Sequence, residues 1–269
     1  MVRAEGVSAF AGVPSVVPRP IAELGPLLEW LRAGRPAGER LDFAAGTALP
    51  DGRLDLCKQG LGAEGAALVA GALAEGPSPV RHLLLGTDGL GDEGAAAVAG
   101  TATDVETLYL GCNGITAGGA CRIADQLRAS PRVVTGVWLK RNPLGGGGGR
   151  AAAEIVESAR SLRTLDLVQT GLDAGAVAVL ADALLAAAGN GRRIERLFVG
   201  GNPLGRTGRG RWPPSWRRGP SMSSTCPLRG WGTRGRRASP RRWSGRRTGG
   251  SPGCPSPATA SGRRVRPAW

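Results

Sequence analysis

His82 is the only histidine in a chain of 269 residues. A lone imidazole leaves a Ser–His–Asp relay and a histidine metal site without their parts. It falls within a strand-like segment, where it reads as a surface residue. The five cysteines, Cys57, Cys112, Cys121, Cys226 and Cys254, are odd in number and form no C-x-x-C pair. That argues against a disulfide framework and against a thiolate zinc site, and points to free thiols in a reducing, cytoplasmic compartment. "GGGGGR" at Gly145–Arg150 has the glycine content of a phosphate loop but lacks its G-K-[ST] ending, so it reads as a loosened turn. No pair of carboxylates stands out for acid–base work. The expectation is a non-enzyme with no cofactor and no metal. The residues left for function are those that grip a partner: Tyr109, Trp138 and Phe198, with the charges Lys140, Arg141, Asp166, Glu195 and Arg196. They can act together only if the fold sets them side by side.

An internal repeat supplies that arrangement. "VRHLLLGTDGLGDEGAAAVA" from Val80, "VETLYLGCNGITAGGACRIA" from Val105 and "LRTLDLVQTGLDAGAVAVLA" from Leu162 each carry an aliphatic residue at offsets 0, 3, 5 and 10. "VTGVWLKRNPL" from Val134 and "IERLFVGGNPL" from Ile194 follow the same rule, and "DGRLDLCKQGL" from Asp51 follows it without the first aliphatic. The offset-5 residues Leu56, Leu85, Leu110, Leu139, Leu167 and Val199 are separated by 29, 25, 29, 28 and 32 positions. Offsets 3 and 5 share one face of a strand, so both point inward. Offset 8 is Asn at Asn113, Asn142 and Asn202, where its amide can satisfy backbone groups in a buried turn. A small-residue helix follows, such as "GDEGAAAVAG", with Asp92 and Glu93 at its positive end. One unit cannot hide its apolar face, but a stack can.

The six units, with their 28–29-residue length and "LGDEGA" turn, resemble the ribonuclease-inhibitor-like leucine-rich repeat family. The resemblance covers about residues 51–205 and implies an α/β solenoid, a horseshoe with a parallel sheet on the concave side and helices outside. It also implies a protein partner on the concave face. The offset-4 residues Asp55, Leu84, Tyr109, Trp138, Asp166 and Phe198 should face solvent there, with Tyr109 and Trp138 as neighbours. Departures are the Gly145–Gly149 run and "AAAGNGRR", which lengthens the fifth unit. Residues 1–50 lie outside the repeat. "IAELGPLLEWLR" suits a short amphipathic helix with Leu24, Leu27, Leu28 and Leu31 on one side, which makes the segment an N-terminal cap. "MVRAEGVSAFAGVPSVVPRP" lacks the apolar core of a signal peptide, and no run approaches the ~18 apolar residues of a membrane span.

The formal charge of +14 suggests an acidic partner until its location is considered. Residues 206–269 hold 16 arginines and no acid, which leaves 19 Lys and Arg against 21 acids before them, a net of −2. That irregular basic tail also lacks Lys, Asn, Gln, His, Ile, Phe and Tyr, yet carries five of the seven tryptophans. Disordered segments are ordinarily rich in acids and lysine and poor in tryptophan. The remaining residue types belong to GC-rich codons. Joining each codon's third base to the next codon's first two, with the free base set to G or C, turns "RTGRGRWPPSW" into "DGAGALAAVLA". From Pro220 the same operation gives "VDVVDLPAAGVGDAGAAGVAAAL", and near Gly253 "LPVPGDGLGPAGAAGV". The tail therefore reads as an out-of-frame translation of at least two further repeats. The competing reading is a genuine Arg- and Trp-rich segment that binds the phosphates and bases of single-stranded nucleic acid. On either reading the sixth unit has its strand, Ile194–Val199, without a helix to follow, and that end should fray.

Three function classes stay open at this point: a protein-interaction scaffold, a regulator of a small GTPase (Ran GTPase-activating proteins share this repeat type), and a nucleic-acid binder acting through the tail.

Overall fold

A computed structural model describes residues 16–101, 104–130, 132–204 and 226–227. By contacts the chain divides at Trp231, and all described residues belong to the first unit. Expectations for residues 1–15 and nearly all of the tail fall outside the described residues.

The fold is α/β, with one mostly parallel sheet and six α-helices. A hairpin, β1 (Leu41–Phe43) and β2 (Gly46–Ala48), joins antiparallel to β3 (Arg53–Asp55). From β3 the strands run parallel in chain order: β4 (His82–Leu84), β5 (Thr107–Tyr109), β6 (Gly136–Trp138), β7 (Thr164–Asp166) and β8 (Arg196–Phe198). The two-residue strand β9 (Cys226–Pro227) lies antiparallel on β8. Between successive parallel strands run α2 (Gly62–Ala74), α3 (Gly91–Gly100), α4 (Ala117–Leu127), α5 (Gly148–Ser158) and α6 (Ala174–Gly189), each touching the next. A 3-10 turn at Ile21–Leu24 leads into α1 (Gly25–Ala33), which lies against α2 and buries Leu24, Leu27, Leu28 and Leu31. The amphipathic helix is where the sequence places it. The hairpin β1–β2, which completes the N-terminal edge of the sheet, has no counterpart in the repeat and was not foreseen.

The core is built by register. Leu54, Leu83, Leu108, Val137, Leu165 and Leu197 pair across successive strands, none more than 1 % exposed. The offset-5 and offset-10 residues from Leu56 to Leu172 are at most 3 % exposed. Removing this apolar surface from water drives the stack.

Where the chain leaves each strand, offset 7 adopts a left-handed conformation in all six units: Lys58, Thr87, Cys112, Arg141 and Gln169 at φ 54° to 64°, and Gly201 at φ 70°. Such a conformation costs a residue with a Cβ about 1–2 kcal/mol. It persists because the N–H groups of these five residues each donate to the carbonyl of the next unit's offset-6 residue. The following residue secures the turn. Asn142 Oδ1 accepts from the N–H groups of Asn113 and Ile115 at 2.9 and 3.1 Å, and its Nδ2 donates to Leu110 O and Leu139 O at 2.9 Å. Asn202 makes the same four backbone bonds two units on.

The glycine run is more than a loosened turn. Gly145–Gly147 forms a 3-10 turn that feeds directly into α5. A Cβ on Gly149 would strike the backbone of Ala176, so a side chain there would push α5 off α6. Asp92 and Glu93 lie in the first turn of α3, as expected, and Asp92 does more than that. It reaches forward, accepting from the Thr116 N–H at 2.7 Å and the Thr116 hydroxyl at 2.6 Å where α4 begins.

Candidate functional site: the side-chain face of the sheet

Alternation puts offsets 2 and 4 on the sheet face opposite the leucine column. The offset-4 row runs Asp55, Leu84, Tyr109, Trp138, Asp166 and Phe198 in continuous register. The structure thus brings Tyr109, Trp138, Asp166 and Phe198 into one line on four neighbouring strands. Arg196 lies at offset 2 on the same face and is exposed.

The two aromatics expected to be neighbours are adjacent in register, but their rings diverge. Among the described residues the one aromatic pair in contact is Trp30 with Phe43, far from this face. The Trp138 indole folds back over Gly136 on its own strand, occupying the space that a Cβ there would need. The Tyr109 ring leans toward the preceding unit, where a Cβ on Gly86 would come within 2.6 Å of it. Both rings lie down on glycines, and this backing limits their rotation. Lys140 follows Trp138 past the strand end and holds its ammonium 5.1 Å from the centre of the Tyr109 ring, a cation–π distance. The Tyr109 hydroxyl raises the Lys140 pKa above its ordinary value, against the opposing effect of burial. Arg141, left-handed and exposed, is steadied by a 2.8 Å bond from Nε to Gln169 Oε1.

Two expected site residues sit differently. Asp166 is not solvent-exposed: it is 8 % accessible, flanked in register by the larger Trp138 and Phe198. Its Oδ1 accepts the Val168 N–H at 3.0 Å. Burial raises its pKa, while that N–H and the charge of Lys140 oppose the rise. Glu195 precedes β8 at offset 1 and belongs to the strand-entry edge rather than to the aromatic row. There it pairs with Arg163 at 2.6 Å, as Glu106 pairs with Arg81 at 3.5 Å three units earlier. An open groove on that edge, lined by Arg81, Asp104, Glu106, Arg132 and Thr135, is where the Arg81–Glu106 pair lies. His82 rests beside Thr107 with Nδ1 3.0 Å from Oγ1.

Sequence reasoning missed the glycine seats of the rings. The signal was present, since Gly86, Gly111 and Gly136 stand where other units carry Cys57, Lys140 and Thr164. Among the described residues no three of His, Cys, Asp and Glu are grouped to hold a metal ion, and no helix is long and apolar enough to cross a membrane.

Fold and face together define a stacked α/β array that presents one side of its sheet. No protein-family model matches this chain, and no curated protein matches it significantly.

Proposed function

We propose that this chain is a leucine-rich repeat array of the ribonuclease-inhibitor-like type, and that it works as a non-catalytic scaffold. It holds a protein partner against the sheet face around Tyr109, Trp138 and Phe198. The observation that carries the reading is the unbroken register of aromatic and charged side chains on strands about 4.8 Å apart. Rings backed by glycine lose little freedom on binding, so most of their contact area counts toward affinity. Large aromatics at the centre of a face are the usual anchors of an interface. The partly shielded Asp166 carboxylate, with the Lys140, Arg141 and Arg196 cations around it, would set which partner fits more than how tightly it binds.

The test is capture and titration. A photo-crosslinking residue in place of Phe198 should trap a protein that the same residue in place of Glu93, on the helix side, does not. Replacing Tyr109 and Trp138 together by alanine should weaken that complex by more than about 1 kcal/mol, or more than fivefold in Kd, by calorimetry. Unchanged affinity removes this site. Accelerated GTP hydrolysis by the captured protein would instead favour the GTPase-regulator class. Binding that is lost only with residues 206–269 would favour the nucleic-acid class.

A further inference from the structure

Each of α2 to α5 is covered on its forward side by the next helix, whereas no described helix follows α6. Its Val179, at offset 17, is 46 % exposed, whereas Leu68, Ala97 and Ala151 at the same offset of covered helices are half-buried or buried and only the polar Arg122 is exposed there. On the sheet, β8 carries the two-residue antiparallel β9 where every earlier repeat strand carries a parallel neighbour. Pro227 sits in that pairing and has no N–H to donate. The α6 face and the β8 edge thus have the form of internal surfaces.

The structure also shows which offsets a following unit would have to satisfy, beyond the strand positions. Offset 14 must be small. It is Gly65, Gly94, Gly119, Gly148 and Ala176, all buried, and a Cβ on Gly94 would lie 3.0 Å from Ala63 Cα on the preceding helix. Offset 18 is core: Val69, Val98, Ile123, Ala152 and Leu180 are at most 1 % exposed. Offset 22 is apolar and buried at Leu73, Leu127, Val156 and Leu184.

The codons of residues 206–269 meet these demands in the shifted frame. Cysteine (TGY), tryptophan (TGG) and the four TCN codons of serine begin with T, whereas the two AGY serine codons would give Glu or Gln when shifted, so the serines below are read as TCN. Shifted, that T becomes the second base, and with G or C before it the codon specifies Val or Leu. Between Pro220 and Trp243 such residues are Ser221, Ser223, Ser224, Cys226, Trp231, Ser239 and Trp243. All but Ser223 fall on offsets 0, 3, 5, 10, 18 and 22, the dry positions of the fold. In the next unit Ser251, Cys254, Ser256, Ser261 and Trp269 fall on offsets 0, 3, 5, 10 and 18. Offset 14 becomes Gly in both units when the free base is G. With G as the free base, offset 8 of the second unit becomes Asp followed by Gly, as at Asp88 and Gly89. Offsets 0, 3, 5 and 10 located the repeat, and the burial of offsets 14, 18 and 22 in the fold gives the physical reason why the helix positions must match as well.

We infer that the outer face of α6 and the edge of β8 are internal packing surfaces of a longer array, and that their occupants are encoded in the shifted frame of codons 206–269: the sixth unit's own helix, with Gly208, Trp212 and Trp216 on its offsets 14, 18 and 22, covers α6, and a run of at least two further units continues the sheet from β8. The inference rests on the repeat reading above but not on the partner face. One base gained or lost near codon 205 joins the two frames.

The deciding experiment compares the chain as written with a frame-restored chain, each with and without Val179→Glu, by urea unfolding and sedimentation. The frame-restored chain should unfold at a higher urea midpoint. Val179→Glu should lower that midpoint markedly and leave the written chain's midpoint unchanged. Equal effects of Val179→Glu on both chains would overturn the proposal. So would a dimer of the written chain that Val179→Glu dissociates, because the face would then serve a second copy. Coding DNA whose shifted frame places Arg at offset 14, or a stop codon, would overturn it as well. None of these readouts involves Tyr109 or Trp138, so failure here leaves the partner-binding proposal to stand or fall on its own test.

Discussion

Asp88 is the residue at which this fold is most exposed to pH. It occupies the turn position that Asn113, Asn142 and Asn202 fill elsewhere, and it is fully buried. Its Oδ1 accepts from the Gln59 and Gly60 N–H groups at 2.7 and 2.9 Å, while its Oδ2 has no partner. Burial pushes its pKa from 3.8 up to about 6, against the pull of those N–H groups and of Arg19. The folded state therefore holds the proton more tightly than the unfolded chain. Stability is greatest below pH 4 for this group and declines as pH rises through about 6, by about 3 kcal/mol at most. Asp88→Asn should remove that slope and supply a donor where Oδ2 now faces no partner. A gain of about 1–3 kcal/mol in urea unfolding at pH 7.5, absent at pH 4, is the expected result. An unchanged pH profile would mean that Asp88 is not the titrating group. Asn at this position is legible in the sequence as a turn residue. That the same position makes a carboxylate pH-sensitive depends on burial, which no local pattern reports.

At the scale of the element, the strand-exit turn is the joint between units. Three devices meet there: the left-handed offset-7 residue, the amide at offset 8 and the buried aliphatic at offset 10. Asn142 ties two units together through four backbone bonds, so Asn142→Ala leaves two N–H groups and two carbonyls short of a buried partner. A loss of about 2–4 kcal/mol should follow, measured by urea unfolding, with Asn142→Asp recovering only the acceptor half. The periodicity locates strands and helices because burial repeats at offsets 3, 5 and 10. It says nothing of the hairpin Leu41–Phe43 and Gly46–Ala48, whose turn falls at Ala44–Ala45 in a segment without repeat neighbours. It also left the direction in which the Tyr109 and Trp138 rings lean undetermined, because that follows from the glycines beneath them.

At the scale of the whole described array, contacts join each unit only to its neighbours, so stability is distributed along the stack rather than pooled. The N-terminal end is closed by α1 and the hairpin. The other end finishes on α6 and β8, with apolar side chains open to water. Native-state hydrogen exchange should reflect this gradient: amides of β5 and β6 protected most, those of α6 and β8 least. Uniform protection through β8 would show that its end is as well covered as the middle.

The sequence alone determined the unit, its length, the dry positions and the side chains of the opposite sheet face, because burial in a stacked fold recurs at constant offsets. Tertiary structure decided what those residues became. Asp166 is sheltered between larger neighbours, Glu195 is drawn into an ion pair on another edge, and Trp138 is laid flat over Gly136. The first two outcomes depend on side chains 28 to 32 positions away in the chain that the register brings to adjacent strands, and a one-dimensional pattern carries no record of that proximity.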